Sequence, residues 1–244
     1  MTELGGSMNE RSERTYEKVV NYIQGEIWKG NLQRGERLPP ERDLAELLGV
    51  SRNSVREALR TMSLMGFISS VHGAGNFLTC DLEQNLSASF RMMLLLGETN
   101  YLQVSQLRRG LESETARLAA NRILPGQAAR MMELAVKMRD ETDAVEASHY
   151  DQEFHNLLCD TSGNKLIRSL FGAIRATVND FIGTVYVRIM DDREQAALLH
   201  NAHIQLAQAL ADHDELAAIR ATFTHFEVVN TSIQKDELAG RKIF

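Results

Sequence analysis

The chain has 244 residues, 43% of them hydrophobic and 25% charged, and a formal net charge of −6 at pH 7. This composition is typical of a globular protein, and the length suggests two domains. No apolar run of about 18 residues is present that could cross a membrane, and the polar N-terminus does not resemble a signal peptide. Cys80 and Cys159 are too few and too far apart for a disulfide framework. We therefore expect a cytoplasmic protein that does not bind membranes.

The acidic charge belongs to the C-terminal part of the chain. Residues 1–80 contain 10 Lys and Arg against 10 Asp and Glu, whereas residues 81–244 contain 17 against 23. The first segment is therefore neutral rather than basic, and its charge alone does not indicate nucleic-acid binding. Only three prolines and an abundance of Ala, Leu, Glu, Arg and Met favour helix, so the sequence predicts a mainly α protein.

Three short helices are predicted in the first segment. Apolar residues recur at helical spacing over residues 16–28, and Gly30 follows them. A second helix is predicted over residues 40–48, and Ser51 is placed to cap a third helix after a short turn that contains Gly49. The leucines of the second helix that are expected to be buried are Leu44, Leu47 and Leu48. Two helices joined by such a turn describe a helix-turn-helix unit.

The third helix carries polar and basic residues on the side opposite its apolar stripe. That side presents Arg52, Arg56 and Arg60, with Asn53 and Ser54 in the first turn. First-turn backbone amides and arginines both bind phosphate, and Arg52 and Asn53 have the geometry to read guanine or adenine edges in a major groove. The alternative is a solvated helix face whose arginines offset nearby acidic residues.

A small hairpin is predicted directly after the third helix. The stretch GFISSVHGAGNFLTC indicates a strand, a glycine-rich turn and a returning strand. A helix-turn-helix followed by such a hairpin is a winged helix. Its turn residues, His72 and Gly73, are expected near the minor groove or the DNA backbone.

Residues 14–79 resemble the GntR-type bacterial transcription regulators. The resemblance rests on LPPERDLAELLGVSRNSVREAL, followed by GFI and the glycine-rich wing. It implies binding to double-stranded operator DNA. The residues that it implies in DNA contact are Arg42, Ser51, Arg52, Asn53, Ser54 and Arg56, with His72 and Gly73 in the wing. Arg60 is not part of that set, so it is predicted to be a solvated surface residue.

An all-helical segment follows a predicted linker at residues 81–98. Helices are predicted at residues 101–122, 126–142, 146–162, 165–190, 194–212 and 214–236. Short turns between long amphipathic helices favour an antiparallel bundle. The sequence thus predicts a winged helix-turn-helix domain at residues 10–80 and an all-helical effector-binding and dimerisation domain at residues 99–238.

Four side chains of the second segment are candidates for a metal site. Asp151 and His155 are four residues apart, the spacing that places two side chains on one face of a helix. His203 and His225 flank the last turn at depths of about 15 and 18 Å along neighbouring antiparallel helices, so they can face each other. One carboxylate and three imidazoles suit zinc, with nickel, manganese or iron as alternatives.

The second segment resembles the all-helical effector domain of the FadR subfamily, the FCD domain. The resemblance rests on QLRRGLESETARLAA, YDQEFHNLLCDTSGN, NAHIQLAQALADHDELAAIRA and TFTHF. The metal ligands that it implies are Asp151, His155, His203 and His225, whereas His149, His200 and His213 do not match the pattern. It also implies that Arg108 pairs with the carboxylate of a small organic acid. Alternatively, Arg108 pairs with Glu112 on a solvated helix face, or Arg109 takes its role.

Together these features predict a homodimeric DNA-binding transcription regulator, and not an enzyme. Two helix-turn-helix units in a dimer require a near-palindromic operator. A small carboxylate bound at the metal is expected to change the affinity of the protein for its operator. We expect the protein to be a repressor and the effector to lower its DNA affinity. Two alternatives are a regulator that senses the metal itself and a metal-dependent hydrolase. The sequence gives little support to the hydrolase, because it contains no H-E-x-x-H motif and no general acid or base that it places beside the metal.

Overall fold

A computed structural model describes residues 4–238, apart from the side chains of residues 4–15, 82, 180, 236 and 237. This part of the chain contains ten α-helices and one two-stranded sheet, which confirms the mainly α fold. The chain divides into two compact units, a first unit that ends at Asn85 and a second unit that begins at Leu86. Among the described helices, none is both long and apolar enough to cross a membrane.

The first unit has the predicted order of helices and strands. Its elements are α1 (Leu4–Trp28), α2 (Glu41–Leu48), α3 (Arg52–Leu64), β1 (Ile68–Val71) and β2 (Gly75–Leu78). Gly49 ends α2 in the left-handed conformation, with φ of 64°, and the Ser51 hydroxyl accepts a hydrogen bond from the Ser54 amide at 3.1 Å. These two residues therefore set the turn and the cap of the helix-turn-helix as the sequence predicted.

The core of the first unit joins one face of each of its three helices. Val19, Leu44, Val55 and Leu59 are fully or almost fully buried there. The prediction that Leu47 is buried is wrong, because its side chain is 60% exposed. The buried face of α2 is centred between Leu44 and Ala45, and at about 100° per residue Leu47 lies about 110° from that centre.

The second unit is an antiparallel bundle with one more helix than the sequence predicted. Its elements are α4 (Leu82–Leu95), which begins four residues before the unit does, α5 (Tyr101–Ala120), α6 (Pro125–Asp140), α7 (Ala144–Thr161), α8 (Lys165–Asp191), α9 (Arg193–Ala211) and α10 (Glu215–Leu238). The predicted linker at 81–98 thus contains α4. Phe90 and Leu94, four residues apart on α4, pack against the apolar cluster that α8 and α10 share, and this burial stabilises the helix.

Two structural details of the bundle position the candidate site. Helix α8 is kinked at Val178, whose φ of −122° and ψ of 18° are not helical. The turn between α9 and α10 is tied down by His213, whose Nδ1 lies 2.7 Å from the Ala120 carbonyl oxygen at the end of α5. His213 therefore makes a contact with the backbone at the end of the bundle and lies outside the predicted metal site.

Candidate functional site

The bundle brings the four predicted metal ligands together. Asp151 and His155 come from α7, His203 from α9 and His225 from α10, and all four side chains are buried. One ligand atom of each lies within 4.8 Å of the others. From the Asp151 Oδ1 atom, the distances to Nε2 of His203, His155 and His225 are 3.0, 3.6 and 4.0 Å. The structure therefore places these four residues in one compact cluster of oxygen and nitrogen donors.

The two histidines near the last turn face each other as predicted. The ring centroids of His203 and His225 are 4.7 Å apart. His203 Nδ1 lies 3.0 Å from the Leu199 carbonyl oxygen, which can only accept, so Nδ1 carries the proton of that hydrogen bond. In neutral His203 the Nε2 atom consequently presents its lone pair to the cluster.

The cluster fits a divalent cation because buried donor atoms in it have no partner. Nε2 of His203 and Nε2 of His155 are buried, and neither makes a hydrogen bond to a described residue. A buried polar atom without a partner costs about 1–3 kcal/mol. The His203 lone pair also faces a carboxylate oxygen only 3.0 Å away. A cation bound by these atoms would satisfy them, and a set of imidazole nitrogens with one carboxylate suits zinc and other first-row metals.

The charges within the cluster respond to burial and to one another. Burial raises the pKa of Asp151. The charge of His155 and the nearby histidine nitrogens lower that pKa by more, so it lies well below the usual range of a carboxyl group. Burial lowers the pKa of His155, but Glu112 and Asp151 raise it to about 9. Burial is the main reason that the pKa of His225 falls to about 3. In the absence of a cation, His155 is thus protonated between two carboxylates and must lose that proton to bind a metal.

Glu112 also belongs to this site, although the sequence did not predict it there. Its Oε1 atom accepts hydrogen bonds from Arg108 Nε at 3.1 Å and pairs with Nη2 at 2.9 Å, while its Oε2 atom lies 2.5 Å from His155 Nδ1. The Arg108–Glu112 pair considered for a solvated face does form, but both side chains are buried, so the solvated location is wrong. Two features of the sequence could have indicated Glu112. It is four residues from Arg108, and metal-binding histidines commonly pair with a carboxylate through their other ring nitrogen.

We expect Glu112→Gln to lower the free energy of unfolding by about 3 kcal/mol, because Arg108 and His155 lose a buried counter-charge. Urea unfolding followed by circular dichroism, in the presence of a chelator, measures this loss without a contribution from bound metal. Glu114→Gln is the matched control, since Glu114 pairs with Arg117 on the surface and its loss should have little effect. Equal losses in both variants would contradict the buried role of Glu112.

A cavity of about 30 Å³ lies beside the cluster. Its lining includes Asp151 and His225 together with Arg108, so the arginine predicted to bind an effector does face the space next to the candidate metal ligands. The Arg108 guanidinium also lies 5.4 Å from the centre of the Phe226 ring. Arg109, the alternative, is not among the described lining residues and instead lies over Phe223 at 5.2 Å.

The residues predicted to contact DNA lie on the surface of the first unit. Arg42, Arg52, Asn53 and Arg56 are exposed, and Arg60 is exposed as well. The Arg56 guanidinium pairs with the Glu41 carboxylate, with Nη2 and Oε2 2.8 Å apart, rather than with an acid of its own helix.

The remaining residues of the predicted DNA surface form the cap of α3 and the tip of the hairpin. The hydroxyls of Ser51 and Ser54 lie 2.8 Å apart at the start of α3. His72 and Gly73 are exposed in the turn between β1 and β2, where the Ala74 amide donates to the Val71 carbonyl oxygen at 3.0 Å. Gly73 adopts φ of 75°, a left-handed conformation that glycine adopts most easily.

Each of the two units matches a known protein family. Residues 15–78 match the gntR family of bacterial regulatory proteins, and residues 103–228 match the FCD domain. The putative L-lactate dehydrogenase operon regulatory protein of Escherichia coli K12 is 28% identical, over 91% of this chain and 87% of its own. The Glc operon transcriptional activator of Escherichia coli K12 is 27% identical, over 93% and 92%.

A solved structure supports the fold. The GntR protein of Streptococcus agalactiae has a TM-score of 0.58 and 23% sequence identity, and the match covers 91% of this chain and 99% of that protein. The order of helices and hairpin in the first unit and the helical bundle of the second unit agree with the two family matches. The chain is therefore a DNA-binding transcription regulator, not an enzyme, and it belongs to the gntR family of bacterial regulatory proteins with a C-terminal FCD domain.

Proposed function

We propose that this regulator changes its affinity for operator DNA when a small organic acid binds beside a divalent cation in the second unit. The observation that carries the proposal is the buried cluster of one carboxylate and three imidazoles, with Arg108 in the lining of the adjoining cavity. One relative is named as a regulator of an L-lactate dehydrogenase operon, a name that concerns a small organic acid.

Each group of the site has a part in this proposal. Asp151, His155, His203 and His225 hold the cation, with zinc as the metal that best suits the donor set. The cation supplies positive charge to a carboxylate oxygen of the acid. Arg108 donates to the same carboxylate from the other side. Its contacts with Glu112 use Nε and Nη2, so the guanidinium keeps donors for a ligand.

The first unit supplies DNA recognition. The surface residues proposed to contact DNA are Arg42, Ser51, Arg52, Asn53, Ser54, Arg56, His72 and Gly73. A homodimer would present this surface twice, in the bacterial cytoplasm, to a near-palindromic operator. Repression relieved by the acid is the proposed mode.

The test begins with operator DNA obtained by selecting random duplexes that bind the full-length protein. Operator affinity is then measured with zinc-loaded and chelator-treated protein, each with and without a panel of small organic acids. We expect at least one acid to lower operator affinity about 5- to 150-fold, and only in the zinc-loaded protein. Affinity that follows zinc alone, with no effect of any acid, would instead show a sensor of the metal itself.

A further inference from the structure

The Tyr186 hydroxyl has no hydrogen-bond partner among the described residues. This side chain on α8 is only 3% exposed. It lines the same cavity as Arg108, Asp151 and His225. Buried tyrosine hydroxyls normally find a hydrogen-bond partner, and leaving one unpaired is costly. The missing partner is therefore an atom of whatever occupies the cavity.

Helices α5 and α10 run past each other so that the cavity lining changes along its length. Arg108 lies against Phe226, and the Ser105 hydroxyl donates to Asn230 Oδ1 at 2.6 Å. Tyr101, a further turn back along α5, lines the cavity beyond Ser105. Successive turns of α5 thus meet successive turns of α10, with Arg108 at one end and Tyr101 at the other.

The end of the cavity away from the metal cluster is lined mainly by apolar side chains and aromatic rings. On α10, His225 is followed at intervals of four residues by Val229 and Ile233, a span of about 12 Å. The ring of Tyr101 stacks on Phe181 from α8, with centroids 3.9 Å apart. The lining is therefore polar beside His225 and apolar beyond it.

The charge and the size of the cavity limit which ligands it can bind. Arg108 is the one lysine or arginine among the described residues that line the cavity. Because Arg108 and the proposed cation both hold the first carboxylate, a second carboxylate would lie toward the apolar end without a counter-charge, and burying an unpaired charge is strongly unfavourable. The cavity is small, with a volume of about 30 Å³, which favours a short ligand.

We propose that the cavity takes a short monocarboxylate with a hydrocarbon tail, its carboxylate held by Arg108 and the Tyr186 hydroxyl and its tail lying toward Phe181 and Ile233. This inference rests on the proposed function, since it specifies the acid that acts there. It makes Tyr186 a residue that binds the effector, through a hydrogen bond to the carboxylate.

Three acids that differ in one terminal group test the class of ligand. Butyrate, 3-hydroxypropanoate and succinate share a carboxylate and two methylenes, and end in methyl, hydroxyl and a second carboxylate. Isothermal titration of each into the zinc-loaded full-length protein should give butyrate an affinity at least tenfold higher than succinate, with 3-hydroxypropanoate between them. The same order is expected for their effects on operator affinity.

Two variants separate recognition from folding. Tyr186→Phe should weaken butyrate binding about tenfold while leaving zinc content unchanged, and it should not lower the melting temperature measured without butyrate, because it removes an unpaired buried hydroxyl. Tyr150→Phe is the control, because this tyrosine packs on another part of the bundle and does not line the cavity. Val229→Lys places a cation at the partly buried apolar end, and should shift the preference toward succinate.

The outcomes of these titrations are distinct. Succinate that binds as tightly as butyrate, and alters operator affinity, would overturn the monocarboxylate inference and leave the proposed function intact. Butyrate affinity that is equal in Tyr186→Phe and the unchanged protein would remove Tyr186 from ligand recognition. If neither these acids nor the wider panel bind or change operator affinity, the proposed function itself fails.

Discussion

His203→Ala is expected to lower metal affinity more than about 100-fold and to abolish the response of operator affinity to organic acids. The change removes one of the four proposed metal ligands, and even the partners that orient such ligands contribute about 10- to 100-fold to metal affinity. His203 is the ligand whose Nε2 lies nearest to Asp151, at 3.0 Å, and the hydrogen bond from its Nδ1 to Leu199 aims that atom into the cluster.

The measurements for this variant are metal content after dialysis and operator affinity with and without an effective acid. His200→Ala is the matched control, because His200 lies on the same helix but outside the four-residue cluster. The control should retain full metal content and the full response. Full metal occupancy in His203→Ala would rule out the four-residue site, whereas metal loss with an intact acid response would separate the acid from the metal.

Helix positions in the second unit could be predicted closely from the sequence. Each predicted helix there begins and ends within two residues of the structure, because long amphipathic patterns and strong turn residues are local signals. The facing of His203 and His225 followed from the same local information, since the position of the last turn sets both depths. The tight turn near His213 was therefore enough to pair two ligands from different helices.

Features that depend on packing between distant helices were not predictable in this way. From its spacing, Glu112 is an ordinary ion-pair partner for Arg108 on a solvent-exposed helix face. Only the packing of α5 against α7 brings its carboxylate next to His155 Nδ1. Helix α4 lies in the segment that the sequence predicts as a linker. Phe90 and Leu94 nevertheless find a cluster formed by α8 and α10. Tertiary burial overrode the local signal in both cases.

Arginines of α3 illustrate how position separates residues of one type. The regular spacing of Arg52, Arg56 and Arg60 suggested one basic stripe, yet their surroundings differ. Arg56 is paired with Glu41 across the helix-turn-helix, which holds its guanidinium in a fixed place. No described acidic side chain forms an ion pair with Arg52, at the start of α3. Its guanidinium is consequently the better placed of the two to reach a base edge.

Arg52→Ala is expected to reduce specific operator affinity at least about 30-fold. A good bidentate contact to a base is worth about 1–3 kcal/mol, and a dimer loses it twice, so the total is about 2–6 kcal/mol. The first-turn position places the side chain where a recognition helix contacts bases. The free energy of unfolding should change little because Arg52 is exposed.

Fluorescence anisotropy with the selected operator and with a scrambled duplex measures the loss and its specificity. Arg60→Ala is the matched control on the same helix, and it should alter operator affinity only slightly. Metal content and the oligomeric mass in solution are expected to stay unchanged in both variants. An operator affinity in Arg52→Ala equal to that of the unchanged protein would show that the first turn of α3 does not read the operator, and a matching loss in Arg60→Ala would indicate a nonspecific basic surface instead.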